Sequence, residues 1–452
     1  MKKKLIIAIV AVILILAVAI VAIFIAKRQG TKDSDLDKSN TGSGEADTSD
    51  GIGSDTPDGI PESSEGLVFE LNSDGRSYTV TGIGSCKDPV VIIGKYNGLP
   101  VTKIGSYAFK GCMTMSSVVI SSCVTEMEQS AFTSCLKVIE VVNNSSIHIS
   151  KEDAVGGTLA DFALDIHTGY SRVDNQNGYL FYTFEDKTYL LDYVGSDTEL
   201  TLPDSYNGRS YEIYKYAFYD KDNITGIKLS EGVTAINSAN FSCCDALSYV
   251  ELPSTLKYVG INVFYECPAL SFTEYGDARY LGNTDNKYLY LHSATGTDVT
   301  SVNAHENTKF IGDSAFENCL KLRTVTLPDG LLGISQYAFS NTDSLYSLSL
   351  PDSILYLAEN AFSDTSISEI TIPSGISELS GDLFFGSTLR RIKFTNNVKT
   401  IRYSAFYLCQ SLTTIDFSGT KSDWASIVKE QNWDYYTPSY TVYCTDGEIK
   451  KQ

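Results

Sequence analysis

The chain has 452 residues, with 55 acidic residues against 35 Lys and Arg and a formal net charge of -20 at pH 7. Phosphate binding needs clustered Lys and Arg, so this balance argues against a nucleic-acid partner and for a self-repelling, well-solvated molecule. A single globular core rarely grows to this length, whereas a periodic array escapes the limit because each unit touches only its neighbours.

The first element is MKKKLIIAIVAVILILAVAIVAIFIAKR, residues 1–28, with 22 successive uncharged apolar residues at positions 5–26. As a helix these would span about 33 Å, which matches a hydrocarbon core of roughly 30 Å. Lys2, Lys3 and Lys4 precede the run, and acidic sequence follows Lys27 and Arg28. The positive-inside bias therefore predicts a cytoplasmic N-terminus and a single-pass cell-membrane protein whose C-terminal region is extracellular. The rival is a signal peptide cleaved at Ala17-Val18-Ala19, leaving a secreted chain. Residues 29–65 are rich in Gly, Ser, Asp and Glu, and are expected to form a disordered acidic linker.

From residue 66 the chain is periodic. Ala-Phe or a close variant ends at Phe109, Phe132, Phe218, Phe241, Phe264, Phe316, Phe339, Phe362, Phe384 and Phe406, with steps of 23 residues within runs and 22 for two late ones. In each unit a segment such as Leu322-x-x-Val325-x-Leu327 alternates apolar and polar, which predicts a short strand. Pro328 stops it, having no N–H for a ladder; Pro253, Pro351 and Pro373 do the same elsewhere. Ile334, Ala338 and Phe339 follow at near-helical spacing, predicting a short helical turn whose inner face returns to the core. One unit cannot bury its apolar side alone, so stacking closes the core behind a single ribbon of parallel strands. The expected fold is an α/β-type repeat solenoid.

Two gaps interrupt the period, and both contain hairpin-like text, YLFYTFEDKTYLLDY and RYLGNTDNKYLYLH. LVFELNSDGRSYTVTGI, with its Asp-Gly turn, is a third hairpin at the start of the array. The expected domains are repeat blocks at 66–142, 218–272 and 311–417, β-hairpin inserts at 143–217 and 273–310, and a C-terminal cap at 418–452. In the cap, Trp424, Ile427 and Val428 are placed on one helix face, with Thr420 and Asp423 in capping-box spacing.

The pattern Ile-x-x-x-Ala-Phe-x-x-Cys-x-x-Leu-x-x-Ile/Val-x-Ile/Leu-Pro resembles the BspA-like (Treponema pallidum type) leucine-rich repeats of bacterial surface proteins. The likeness covers about residues 66–449, and FSGTKSDWASIVKEQNW…YTVYCTDGEI resembles a terminal segment of many members. Asn240 and Leu383 depart from the pattern by replacing the Ala before Phe. The resemblance implies a leucine-rich solenoid with a parallel β-sheet face on a cell surface, often linked to adhesion. It implies no particular ligand, cofactor or catalytic residue.

Among chemistry-bearing residues, Cys112, Cys135, Cys244, Cys267, Cys319 and Cys409 each lie three residues after the repeat Phe. Stacked in register they could approach bonding distance, but the coil after Cys319 has Thr342 at this position, and small apolar thiols are expected. His148, His167, His292 and His305 show no ligand spacing and are expected on surfaces or turns. Residues 220–231 superficially match a calcium loop, yet Ile224 and Thr225 occupy its turn and Ile224-x-x-Ile227-x-Leu229 is the repeat strand. No enzyme motif, metal site or cofactor is expected. The outward strand positions are the candidate binding face: Tyr249, Glu251, Arg323, Tyr346, Arg390, Arg391 and Lys393. Tyr supplies rigid amphipathic contact area, and Arg390, Arg391 and Lys393 make a basic stripe on an acidic chain. The expected function is adhesion or recognition through protein–protein or protein–glycan binding. Host matrix proteins, glycoproteins and other bacterial surfaces are the expected partners; a structural envelope spacer without a ligand is the alternative.

Overall fold

A computed structural model describes residues 65–150 and 159–451. The apolar run at 5–26 and nearly all of the acidic linker lie outside the described residues. Among the described residues, no helix is long and apolar enough to cross a membrane.

The repeat makes a β-solenoid with two ladders per coil. The first is the expected one: strands Glu369–Thr371, Arg391–Phe394, Thr414–Phe417 and Thr441–Cys444 stack in parallel, pairing Ile370 with Ile392 and Ile392 with Ile415. The second was not expected. Phe310–Ile311 pairs in parallel with Gly333–Ile334, and that strand pairs with Tyr356–Leu357. Glu378–Leu379, Thr400–Ile401 and Val428–Lys429 form the same ladder further on. Most coils therefore contribute two short strands, and the single ribbon predicted from the sequence is corrected to two.

The predicted helical turn is also corrected. Around the repeat Phe residues, Phe132 excepted, the backbone enters the left-handed region twice, two residues before the ring and two after. Ser314 (φ 51) and Asn318 (φ 60) flank Phe316, Tyr337 (φ 55) and Asn341 (φ 56) flank Phe339, and Asn360 (φ 57) and Asp364 (φ 51) flank Phe362. A right-handed helix cannot continue through such residues. The reversals turn alternate N–H groups toward the next coil: Ser314 donates to the Gln336 carbonyl (2.9 Å), Phe316 to Ala338 (2.8 Å) and Asn318 to Ser340 (3.0 Å). The turn is thus tied coil to coil like the strands. Only two short helices occur among the described residues, Leu159–Phe162 and Lys421–Ser426.

The Phe side chains form the expected column. Phe316, Phe339, Phe362, Phe384 and Phe406 are fully buried, with successive ring centroids 5.1, 5.8, 5.5 and 5.7 Å apart. Offset stacking adds to burial, which contributes roughly 1.5–3 kcal/mol per large side chain. Asn240 fits the column because its amide is satisfied: Nδ2 donates to the Asn237 carbonyl (2.7 Å) and Oδ1 accepts from Ala217 N–H (3.2 Å).

Three cores are separated by hairpins. Tyr179–Phe184 and Lys187–Tyr193 pair antiparallel, and the second strand pairs in parallel with Tyr211–Ile213, starting the second core. The hairpin is buried on both faces: Phe181 and Leu190 face the second core, while Leu180, Tyr182, Tyr189 and Leu191 pack with Ile139 and Tyr214. The hairpin Ala278–Leu281 with Tyr290–Ala294 repeats the arrangement, its Leu281 and Tyr290 in the second core and its Tyr280 and Leu291 in the third. The second hairpin is a partition shared by two cores, whereas the outer face of the first joins a separate small cluster with Ile139, Val173 and Tyr214. At the C-terminus, the capping box on Thr420 forms as expected, with Trp424 and Ile427 buried. Val428 does not join that helix face: it lies in strand Val428–Lys429 and is 59% exposed. The tail is one more coil, in which Trp433 replaces Phe, its carbonyl accepting from Phe406 N–H (2.7 Å) and its ring edge-on to Phe406. Antiparallel Gly447–Lys450 then covers the last strand.

Candidate binding face

Parallel register fixes which strand residues point outward. In Tyr249–Glu251, Val250 is buried, so Tyr249 and Glu251 face out; in Arg391–Phe394, Ile392 and Phe394 are buried and Arg391 and Lys393 face out. Gly226 pairs with Tyr249, and the ring lies over it: a Cβ at Gly226 would fall 2.1 Å from a Tyr249 ring carbon.

The seven predicted residues do not form one site. Tyr249 and Glu251 belong to the second core's sheet, where Glu251 pairs with Lys228 (3.2 Å). Arg323 precedes strand Thr324–Thr326, which ladders back to Ser301–Asn303. Tyr346 lies in the third core two coils before Arg390, Arg391 and Lys393, with the strand Glu369–Thr371 between them. The basic stripe is partly neutralised: Arg391 makes a bidentate pair with Asp416 (2.5 and 2.9 Å), and Arg390 lies 3.8 Å from Glu369. Lys393 is exposed and forms no ion pair among the described residues.

The first-strand ladder is interrupted here. Residues 345–350 pair with no strand of the preceding coil, and a single bridge, Ser347 to Glu369, joins them to the next, where Glu369–Thr371 and Arg391–Phe394 share three pairs. At the interruption is an open depression of about 300 Å³ lined by Ser347, Ser349, Glu369, Thr371, Arg391 and Lys393 over Leu348, Leu350 and Ile370. In the sequence only Leu348, where the repeat pattern has Ile or Val, sets residues 345–350 apart from the other units.

Two buried polar clusters also escaped the sequence reading. Glu140, fully buried, accepts from Ser117 and Ser171 hydroxyls (2.6 Å for Ser171) and from Arg172 N–H (2.7 Å), and lies 3.0 Å from His167 Nε2. His167 is thus a core partner rather than a surface residue. Both serines donate to the carboxylate, so neither is arranged as a nucleophile against the imidazole. At the first hairpin, buried Lys137 and Asp192 are 2.5 Å apart and Lys221 adds a second cation at 2.7 Å from Asp192. His292 is stacked on Phe272 at 4.4 Å, and burial pushes its pKa down to about 4, again unlike the expected surface histidine.

The repeat cysteines sit as thiols against the preceding coil. Cys135, Cys244, Cys267 and Cys409 Sγ donate to the carbonyls of Phe109 (3.0 Å), Phe218 (3.1 Å), Phe241 (2.8 Å) and Phe384 (3.0 Å). Burial raises the Cys244 thiol to about 12, far from thiolate chemistry. Residues 220–231 carry the repeat strand, with Ile224, Ile227 and Leu229 buried. Among the described residues no group of three or more His, Cys, Asp or Glu could hold a metal.

Six copies of the BspA type leucine rich repeat region match the chain over residues 97–163, 197–283 and 290–417. No curated protein matches the sequence. Among solved structures, a leucine rich cell surface protein from Faecalibacterium prausnitzii is similar at 22% identity, covering 83% of this chain and 99% of that one with a TM-score of 0.33. The pneumococcal vaccine antigen PcpA is 15% identical over 81% of this chain and 94% of its own, with a TM-score of 0.28. The T. pallidum leucine rich repeat protein is 20% identical over 63% and 90%, with a TM-score of 0.19.

Proposed function

Because the chain belongs to the BspA-type leucine-rich repeat family, we propose that it is an exported surface protein that holds a macromolecular partner against the strand face of its third core. The N-terminal apolar segment anchors it in the membrane, and adhesion to a host matrix protein, a glycoprotein or another bacterial surface is the role. One observation carries this reading: the third core's strand face is cationic on a chain of net charge -20. Arg323, Arg390, Arg391 and Lys393 stand there against Glu369 and Asp416, between columns of outward Ser and Thr such as Thr324, Ser347, Thr371 and Thr414. Short hydroxyls leave the sheet flat and accessible, and local charge opposite to the rest of the molecule orients an acidic partner and raises its on-rate.

Binding of cells displaying the full chain to immobilised matrix proteins, mucin and bacterial cells tests the proposal. Charge reversal of Arg390 and Lys393 to Glu should lower capture at least tenfold at low salt, with a smaller effect at high salt. Unchanged capture would move the interface elsewhere, and no capture by the unmodified chain would leave the role of an envelope spacer.

A further inference from the structure

We propose that the depression at residues 347–350 is a subsite for a single carboxylated sugar residue within a larger glycan. The inference rests on the strand face being the binding surface and names the chemistry of one part of it. Its volume, about 300 Å³, sits at the small end of ligand sites and leaves room for one sugar ring. The upper lining is polar: the hydroxyls of Ser347, Ser349 and Thr371, the carboxylate of Glu369 and the ammonium of Lys393. Hydroxyls that both donate and accept, beside a carboxylate that only accepts, match a ring bearing several hydroxyl groups.

The charge pattern selects among sugars. Arg391 is committed to Asp416 through two hydrogen bonds, whereas Lys393, which lines the same depression, has no acidic partner among the described residues. An exposed ammonium with three donors and no counter-ion is a ready partner for a ligand carboxylate. A peptide is the poorer fit. The floor offers no deep apolar hole for a side-chain anchor, since Leu348 and Ile370 are already buried in the core.

The test is surface plasmon resonance on the immobilised full chain in mild detergent. The probes are multivalent polyacrylamide conjugates of N-acetylneuraminic acid, glucuronic acid and galactose, together with a poly-glutamate peptide. Binding of at least one acidic sugar conjugate, tenfold or more above galactose, is expected. Lys393→Gln should reduce it at least tenfold, and Ser349→Val at least threefold, while Lys110→Gln on the turn face should leave it unchanged. Equal binding of galactose, stronger binding of poly-glutamate, or indifference to Lys393→Gln would each overturn the subsite. Loss of the sugar signal with cell capture by the strand face intact would remove the subsite alone; loss of both would remove the underlying reading as well.

Discussion

Glu266 adopts φ 54 at the position where later coils place Asn318 and Asn341. A left-handed backbone brings Cβ against the following carbonyl and costs roughly 1–2 kcal/mol for most residues, less for Asn and Asp. The carboxylate is exposed, so little packing is lost by replacing it. Glu266→Asn should therefore raise stability by about 0.5–1 kcal/mol, read as a higher midpoint in denaturant with an unchanged slope. The same position explains the missed turn. Ile334, Ala338 and Phe339 share one inner face at helical spacing, but the spacing alone cannot distinguish a helix from paired reversals. Asn318, Asn341, Asp364 and Gly386, each two residues after Phe, were the available sign: these residue types tolerate positive φ and are poor inside helices.

At the scale of the element, the hairpins differ most from their sequence pattern. Lys187–Tyr193 is one arm of an expected hairpin, yet every residue after Lys187 is buried, because one side meets the second core and the other meets Ile139 and Tyr214. A strand covered on both faces reads as a continuous apolar run. Which core lies behind each face depends on a fold-back that no local pattern encodes. The second partition is locked by Tyr356, whose ring crosses Gly333 and whose hydroxyl donates to the Val259 carbonyl at 3.0 Å, 97 residues away. A side chain at Gly333 would collide with that ring, its Cβ 2.1 Å from Tyr356 Cζ. Tyr356→Phe should cost about 1–3 kcal/mol by leaving a buried carbonyl unpaired. Hydrogen exchange should quicken at Val259 and Gly260 and stay unchanged near Phe109; uniform quickening across the chain would contradict a local lock.

For the whole molecule, the junction between the second and third cores makes stability depend on pH. Asp313 accepts from Asn262 N–H at 2.6 Å, and burial beside Tyr258, Tyr290 and Tyr356 raises its pKa from 3.8 to about 7. A carboxyl raised on folding favours the native state most below its unfolded pKa, and that benefit is lost as pH climbs through 7. Asp313→Asn keeps an accepting oxygen and removes the titration. Relative to the unmodified chain it should gain on the order of 1–3 kcal/mol between pH 5 and 8, measured by denaturant unfolding at each pH. A constant difference across that range would show that Asp313 does not titrate there. His292 acts oppositely, its lowered pKa withdrawing stability as pH falls from about 6.5 toward 4, so the comparison must be made between variants rather than along one curve.

The repeat, its inward Leu, Ile and Phe positions, the hairpins and the capping box on Thr420 were all legible from residue order, because periodic burial writes itself directly into a periodic sequence. So were Arg391 and Lys393 as outward neighbours, since a strand alternates its sides at every residue. The second ladder, the partition, the Asp416 clamp on Arg391 and the interruption beside Ser347 came only with the packed chain. Each joins residues from different coils, and a sequence states what a coil contains but not how far its neighbour has turned.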